Sequence, residues 1–163
     1  MTEQTSLQLD AEKTPSHPER QLVQDNLRAA RHIVGKKLSP RLTKSLNAVS
    51  LEFGFALDKG ELQILGGSCY VTHTGLLRLA RREKCCGIKV ETVDSLCDPA
   101  AHRFVLKATV YPCQGSLGFV GYGDADPSNV SALVRGAELR MAETRAVNRA
   151  LRKAYGIGLC SAE

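Results

Sequence analysis

Ile88-Lys89-Val90-Glu91-Thr92-Val93 is the first of three closely spaced runs whose reading decides the fold. Arg103 to Tyr111 and Leu117 to Tyr122 follow it, both strand-like, with turn chemistry at Asp98-Pro99 and at Pro112-Cys113-Gln114-Gly115. Links this short predict an antiparallel meander. Asp126-Pro127-Ser128 then opens a helical stretch to about Tyr155, with Asp126 or Ser128 as its cap and Gly156 as its end. The expected class is α+β: an antiparallel β-β-β sheet packed by one long C-terminal helix and preceded by short helices.

Working upstream, Thr72 can cap a second helix over residues 75–84, apolar at Leu76, Leu77, Leu79 and Ala80 and basic at Arg78, Arg81, Arg82 and Lys84. Residues 19–34 place Leu22, Val23, Leu27, Ala30 and Ile33 at helical spacing, and Gly35 is a plausible C-cap. Residues 36–44 read as a basic connector interrupted by Pro40, and Val49 to Phe53 alternates weakly like a strand. Residues 1–17 are polar and proline-containing, as in a disordered tail, which leaves 18–163 as the expected folded domain.

Composition narrows the class further. With 43% hydrophobic residues, a chain of 163 is long and apolar enough to bury a core. Lys and Arg outnumber Asp and Glu by 22 to 17, a modest basic bias compatible with polyanionic partners. The N-terminus has neither a basic n-region nor an apolar h-region, and no stretch approaches the ~18 apolar residues of a spanning helix, so the expectation is a soluble, cytoplasmic protein without a membrane partner. The six cysteines (Cys69, Cys85, Cys86, Cys97, Cys113 and Cys160) are then reduced, core-filling residues.

On the last helix, Leu133, Ala137, Met141, Thr144, Val147, Leu151 and Tyr155 share one broad face, expected against the sheet. Arg145, Arg149 and Arg152 step by four and three into a stripe away from it. A fixed arginine stripe can follow the phosphates of a strand, because guanidinium is permanently charged and its fork matches phosphate oxygens. The competing reading is a solvated flank partly neutralised by Glu138 and Glu143, which for an anonymous helix is the commoner case.

Context comes from a resemblance over residues 68–160. Ser68-Cys69-Tyr70-Val71 precedes a helix, three strands follow, Val120-Gly121-Tyr122-Gly123 forms a turn, and the closing helix carries Ala142-Glu143-Thr144-Arg145-Ala146-Val147-Asn148-Arg149-Ala150-Leu151-Arg152. In that order these resemble the single-strand annealing proteins of the Rad-fifty-two type, including bacterial or phage DdrA-like members. The resemblance implies a nucleoid-associated, non-enzymatic protein. It would assemble into homo-oligomeric rings or arrays, hold single-stranded DNA in a basic groove with bases outward, and anneal complementary strands in recombination and repair without ATP or any cofactor. A single-strand-binding protein or another recombination partner is the further partner class it brings in.

Carried over by position, Arg149 and Arg152 match groove-lining residues, with Arg145, Lys153, Arg78, Arg81 and Arg82 as the remaining DNA-binding candidates. Asn148 stands where eukaryotic members have a lysine, and Gly75 stands near a family arginine that Arg78 or Arg81 would have to replace. No Trp and 5% aromatic residues suit a backbone-led mode rather than stacking platforms. Tyr122 is expected to close the sheet in preference to stacking on a base, its flanking glycines allowing a tight exit to the helix.

Other chemistries are weaker. Gly121-Tyr122-Gly123 lacks the third glycine of a dinucleotide loop. Asp124 and Asp126 open an alternative, a Mg²⁺-dependent nuclease, although the same residues serve a turn and a cap. Cys85-Cys86, Cys97, His102 and Cys113 lack any C-x-x-C pair for zinc, and no motif joins a cysteine to His73 or His102 as a nucleophile. A second alternative is a protein-interaction module whose arginine stripe meets an acidic partner.

Overall fold

The computed structural model describes residues 15–35, 37–159 and 161–162, the last two by their backbone alone. The expected tail lies outside them up to residue 14, while Ser16 and His17 belong to the first helix and its cap. The order is α1 (His17–Val34), α2 (Pro40–Phe53), β1 (Leu62–Leu65), β2 (Ser68–Thr72), α3 (His73–Arg82), β3 (Gly87–Thr92), β4 (Phe104–Tyr111), β5 (Phe119–Ala125), α4 (Glu138–Ala154) and β6 (Ser161–Ala162). The class is α+β: β3, β4 and β5 form an antiparallel meander against which α4 packs.

Between residues 36 and 53 the structure corrects the expectation. Pro40 does not interrupt a connector but occupies the first turn of α2, where its missing N–H costs nothing and its φ is already helical. Ser39 caps that turn by accepting the Leu42 N–H at 3.1 Å. Leu42, Leu46, Val49 and Ser50 bury one face, and Gly54, at φ +62°, ends the helix. The alternation over Val49 to Phe53 is therefore its last turn and not a strand.

A hairpin that the sequence pattern does not announce precedes α3. Gly66 and Gly67 both adopt positive φ, +54° and +75°, as a two-residue hairpin turn of the primed type requires, and they join β1 to β2. β6 pairs with β2 in parallel, giving a second small sheet in the order β1-β2-β6. One contiguous hydrophobic cluster links both sheets and all four helices, with Phe55, Leu46, Leu76, Val71, Val110 and Leu151 among its buried members. Asn26 fastens α1 to it by donating to Ser50 Oγ and the Phe55 carbonyl and accepting the Leu57 N–H, each at 2.8 Å.

The closing helix starts later than expected. The Asp126 carboxylate accepts the Ser128 N–H at 2.7 Å and the Ser128 hydroxyl, which closes a turn and caps no helix. Val130 tucks into the core, Leu133 is 96% exposed in a 3-10 turn, and Gly136 turns the chain at φ +85° before Glu138 begins α4.

Candidate nucleic-acid interface

The position of α4 is set by small residues. Gly121 and Gly123 face it from β5, and a methyl at either would fall on helix backbone: Ala146 and Ala150 at Gly121, Ala142 and Ala146 at Gly123. With Ala142, Ala146 and Ala150 opposite, all without exposed surface, helix and strand meet almost backbone to backbone. The glycines are thus the seat of α4 and not a strand-to-helix exit. The face expected against the sheet is corrected likewise. Ala142, Ala146 and Ala150 join Val147 and Leu151 on the buried side, while Leu133 and Ala137 precede the helix.

This seat lays α4 along the outer edge of the sheet, so its cations reach the free carbonyls of β5. Arg145 Nη1 donates to the Asp124 carbonyl, Arg149 Nη1 to that of Tyr122 and Lys153 Nζ to that of Val120, each at 2.7 Å. The register works because four residues of helix rise about 6 Å and two residues of strand about 6.7 Å. Every second strand carbonyl thereby meets every fourth helix residue. Capped by cations, the edge of β5 is closed to further strand pairing.

The expected stripe divides accordingly. Arg145 is a staple, since Nη1 and Nη2 also donate to Oδ1 and the carbonyl of Asn129, at 2.9 and 3.0 Å, and hold the loop after β5 against α4. Arg149 and Lys153 each give one nitrogen to the strand and remain exposed. Arg152 lies off this row, half-buried, and its Nε has no hydrogen-bond partner. It lines a cleft of about 350 Å³ at the end of α4 together with Arg149, Lys153, Gly156, Ile157 and Gly158. Three cations therefore converge there, on a surface with no described acidic lining residue.

The basic face of α3 has a different task. Glu61, 3% exposed, accepts the Ala56 N–H at 2.8 Å and lies 3.8 Å from Arg78 and 3.6 Å from Arg82. Arg78 also donates to the Lys59 carbonyl, and Arg82 to those of Phe53 and Gly54 while sitting over the Phe55 ring. Both hold the loop between α2 and β1, whereas Arg81 of that face points to solvent. Gly75 is buried, and a methyl there would strike the Glu61 carbonyl, so no longer side chain fits at that position. Asn148 is fully buried and its Oδ1 lies 2.7 Å from His73 Nδ1, joining α3 to α4 away from the cations.

Tyr122 is half-exposed on the face of the sheet opposite α4. Asp124 lies 3.4 Å from Arg149 and accepts from Asn129 Nδ2 at 3.1 Å, so the two acids of the nuclease alternative are engaged internally. Ser128 beside Asp126 holds its carboxyl below the usual range. Among the described residues no group of three His, Cys, Asp or Glu side chains is placed to hold a metal ion, and no helix is long and apolar enough to cross a membrane. The cysteines are not uniformly core-filling: Cys69 is buried, its thiol pushed up to about 11 by desolvation, whereas Cys86 and Cys113 are exposed. Cys160 lies outside the described residues. Comparison with protein-family models, with curated proteins and with solved structures finds no match to this chain.

Proposed function

We propose that this protein binds single-stranded DNA through its phosphates and promotes annealing of complementary strands, without ATP, as a homo-oligomer serving recombination and repair. The observation that carries the reading is the cleft at the end of α4, where Arg149, Arg152 and Lys153 converge beside Gly156, Ile157 and Gly158 and, among the described residues, no acid lines the wall. No described hydrogen bond or ion pair engages the Arg152 guanidinium, whose Nε is buried, and the terminal nitrogens of a guanidinium can engage phosphate oxygens in pairs. Arg145, Arg78 and Arg82 serve the fold in this reading, and Arg81 supplies a second, peripheral contact. The shortage of aromatic residues favours a mode in which backbone is held and bases stay free.

The test is fluorescence annealing of two complementary oligonucleotides without ATP or metal, beside binding to single-stranded and duplex DNA at two salt concentrations. Faster annealing with salt-sensitive preference for single strands is the expected result. No binding at low salt would overturn the reading and leave the cleft to an acidic protein partner.

A further inference from the structure

The two edges of the β3-β4-β5 sheet are treated differently. The outward carbonyls of β5 accept from Arg145, Arg149 and Lys153. β3, at the other edge, pairs with β4 and with no second strand among the described residues. The Val93 N–H donates inward to the Val105 carbonyl, in phase with Gly87, Lys89 and Glu91, so antiparallel alternation turns the N–H and C=O of Ile88, Val90 and Thr92 outward. Beside this edge, between α3 and α4, runs a cleft of about 450 Å³ lined by Leu77, Ile88, Val90 and Val147 and flanked by Arg140 and Glu143. Leu77 and Ile88 are 40% and 37% exposed, a large apolar surface to leave next to unpaired backbone.

We propose that β3 is a self-pairing edge, along which two copies of this chain join antiparallel about a twofold axis at Val90. Self-complementarity selects both partner and register. With Val90 opposite its own copy, the outward groups of residues 88, 90 and 92 meet as hydrogen-bonded pairs, and Lys89 of each copy lies opposite Glu91 of the other. Shifting the axis by one residue either way sets Lys89 against Lys89 or Glu91 against Glu91. Ile88 and Val90 are on the α4 side of the strand, so the two apolar clefts become continuous across the axis. The closed edge of β5 leaves no matching edge within this sheet for head-to-tail pairing, and an isologous pair is the result. This rests on the homo-oligomer part of the proposed function and is independent of DNA binding, which lies at the opposite edge.

Sedimentation velocity of the full chain at low salt tests it. Lys89 and Glu91 are exposed and form an ion pair within the chain at 2.9 Å. Lys89→Glu and Glu91→Lys each place like charges opposite one another at both symmetric positions, and each is expected to raise the dissociation constant of the pair about tenfold. Mixed one to one, the two variants are expected to associate as the parent does, because every changed position then faces an opposite charge in the other copy. Loss of the internal ion pair alone predicts no such recovery. Oligomers untouched by either change, or no recovery on mixing, would overturn the β3 assignment while leaving the homo-oligomer reading in place. A parent chain that sediments as a monomer would overturn both, with DNA binding still judged by its own assay.

Discussion

Arg145 and Arg152 stand seven positions apart on one helix, and their surroundings give them opposite work. Arg145 donates to the Asp124 carbonyl and twice to Asn129, so it holds a loop. Replacing it with alanine is expected to lower the unfolding free energy by about 2 kcal/mol, since it leaves carbonyls without donors, and a urea titration measures this. Arg152 makes no described hydrogen bond through its buried Nε. Arg152→Ala is expected to leave the urea midpoint within error and to weaken binding of single strands. A stability loss in that variant, with affinity intact, would make Arg152 structural and take the cleft out of the binding surface. Acid stability is a further property at this scale. The Glu138 carboxylate, buried at the start of α4, accepts the Gly136 N–H at 2.9 Å, and this bond holds its carboxyl below the usual range, as Ser128 does for Asp126. An acid whose folded value is depressed adds stability above its unfolded value and loses it as pH falls through the folded one. The thermal midpoint is therefore expected to hold near neutrality and to drop below pH ~4, and Glu138→Gln to flatten part of that drop.

Elements that carry a periodic pattern and a cap are legible in the sequence, and those decided by close approach are not. The three strands and α3 are legible to within three residues because alternation, β-branched residues and Thr72 as a cap agree with one another. Val120-Gly121-Tyr122-Gly123, expected as a turn, lies instead within β5, which runs on to Ala125. α2 carries equally good signals, with Ser39, Pro40 and buried positions at 42, 46 and 49, but a proline reads as a breaker as readily as an N1 residue. The start of α4 is ambiguous because Asp-Pro-Ser serves a turn as well as it serves a cap. The cation stripe is visible as a stripe, yet its split into staple, edge cap and cleft depends on β5 lying one glycine-thin layer away, which no spacing within the helix records. That layer gives the element-scale prediction. Gly123→Ala puts a methyl onto the backbone of Ala142 and Ala146, neither of which can yield without lifting α4 from the sheet. The expected cost is about 3 kcal/mol in chemical denaturation, with loss of the edge contacts of Arg149 and Lys153. A tolerant Gly123→Ala would mean that α4 rests less closely on the sheet.

For the whole molecule, the number of cations that meet phosphate sets how binding responds to salt. Each phosphate contact on a single strand contributes about −0.7 to the slope of log affinity against log salt, so Arg149, Arg152 and Lys153 acting together predict a slope near roughly −2 per protomer. Arg152→Ala should bring it to about −1.4, whereas Arg78→Ala, whose side chain belongs to Glu61 and the Lys59 carbonyl, should leave the slope alone. The net charge of +5 is spread over the chain, and a diffuse electrostatic attraction would respond equally to the loss of any one cation. Anisotropy titrations of a labelled oligonucleotide over a range of salt separate the two cases. Because no Trp and few aromatic residues are present, oligonucleotides of different sequence and equal length should follow the same line. Equal slopes for Arg78→Ala and Arg152→Ala would dissolve the cleft into general basicity. A flatter response in Arg152→Ala but not in Arg78→Ala is what a built phosphate site requires, since no described bond commits the Arg152 guanidinium to the fold, whereas that of Arg78 is held by Glu61 and the Lys59 carbonyl.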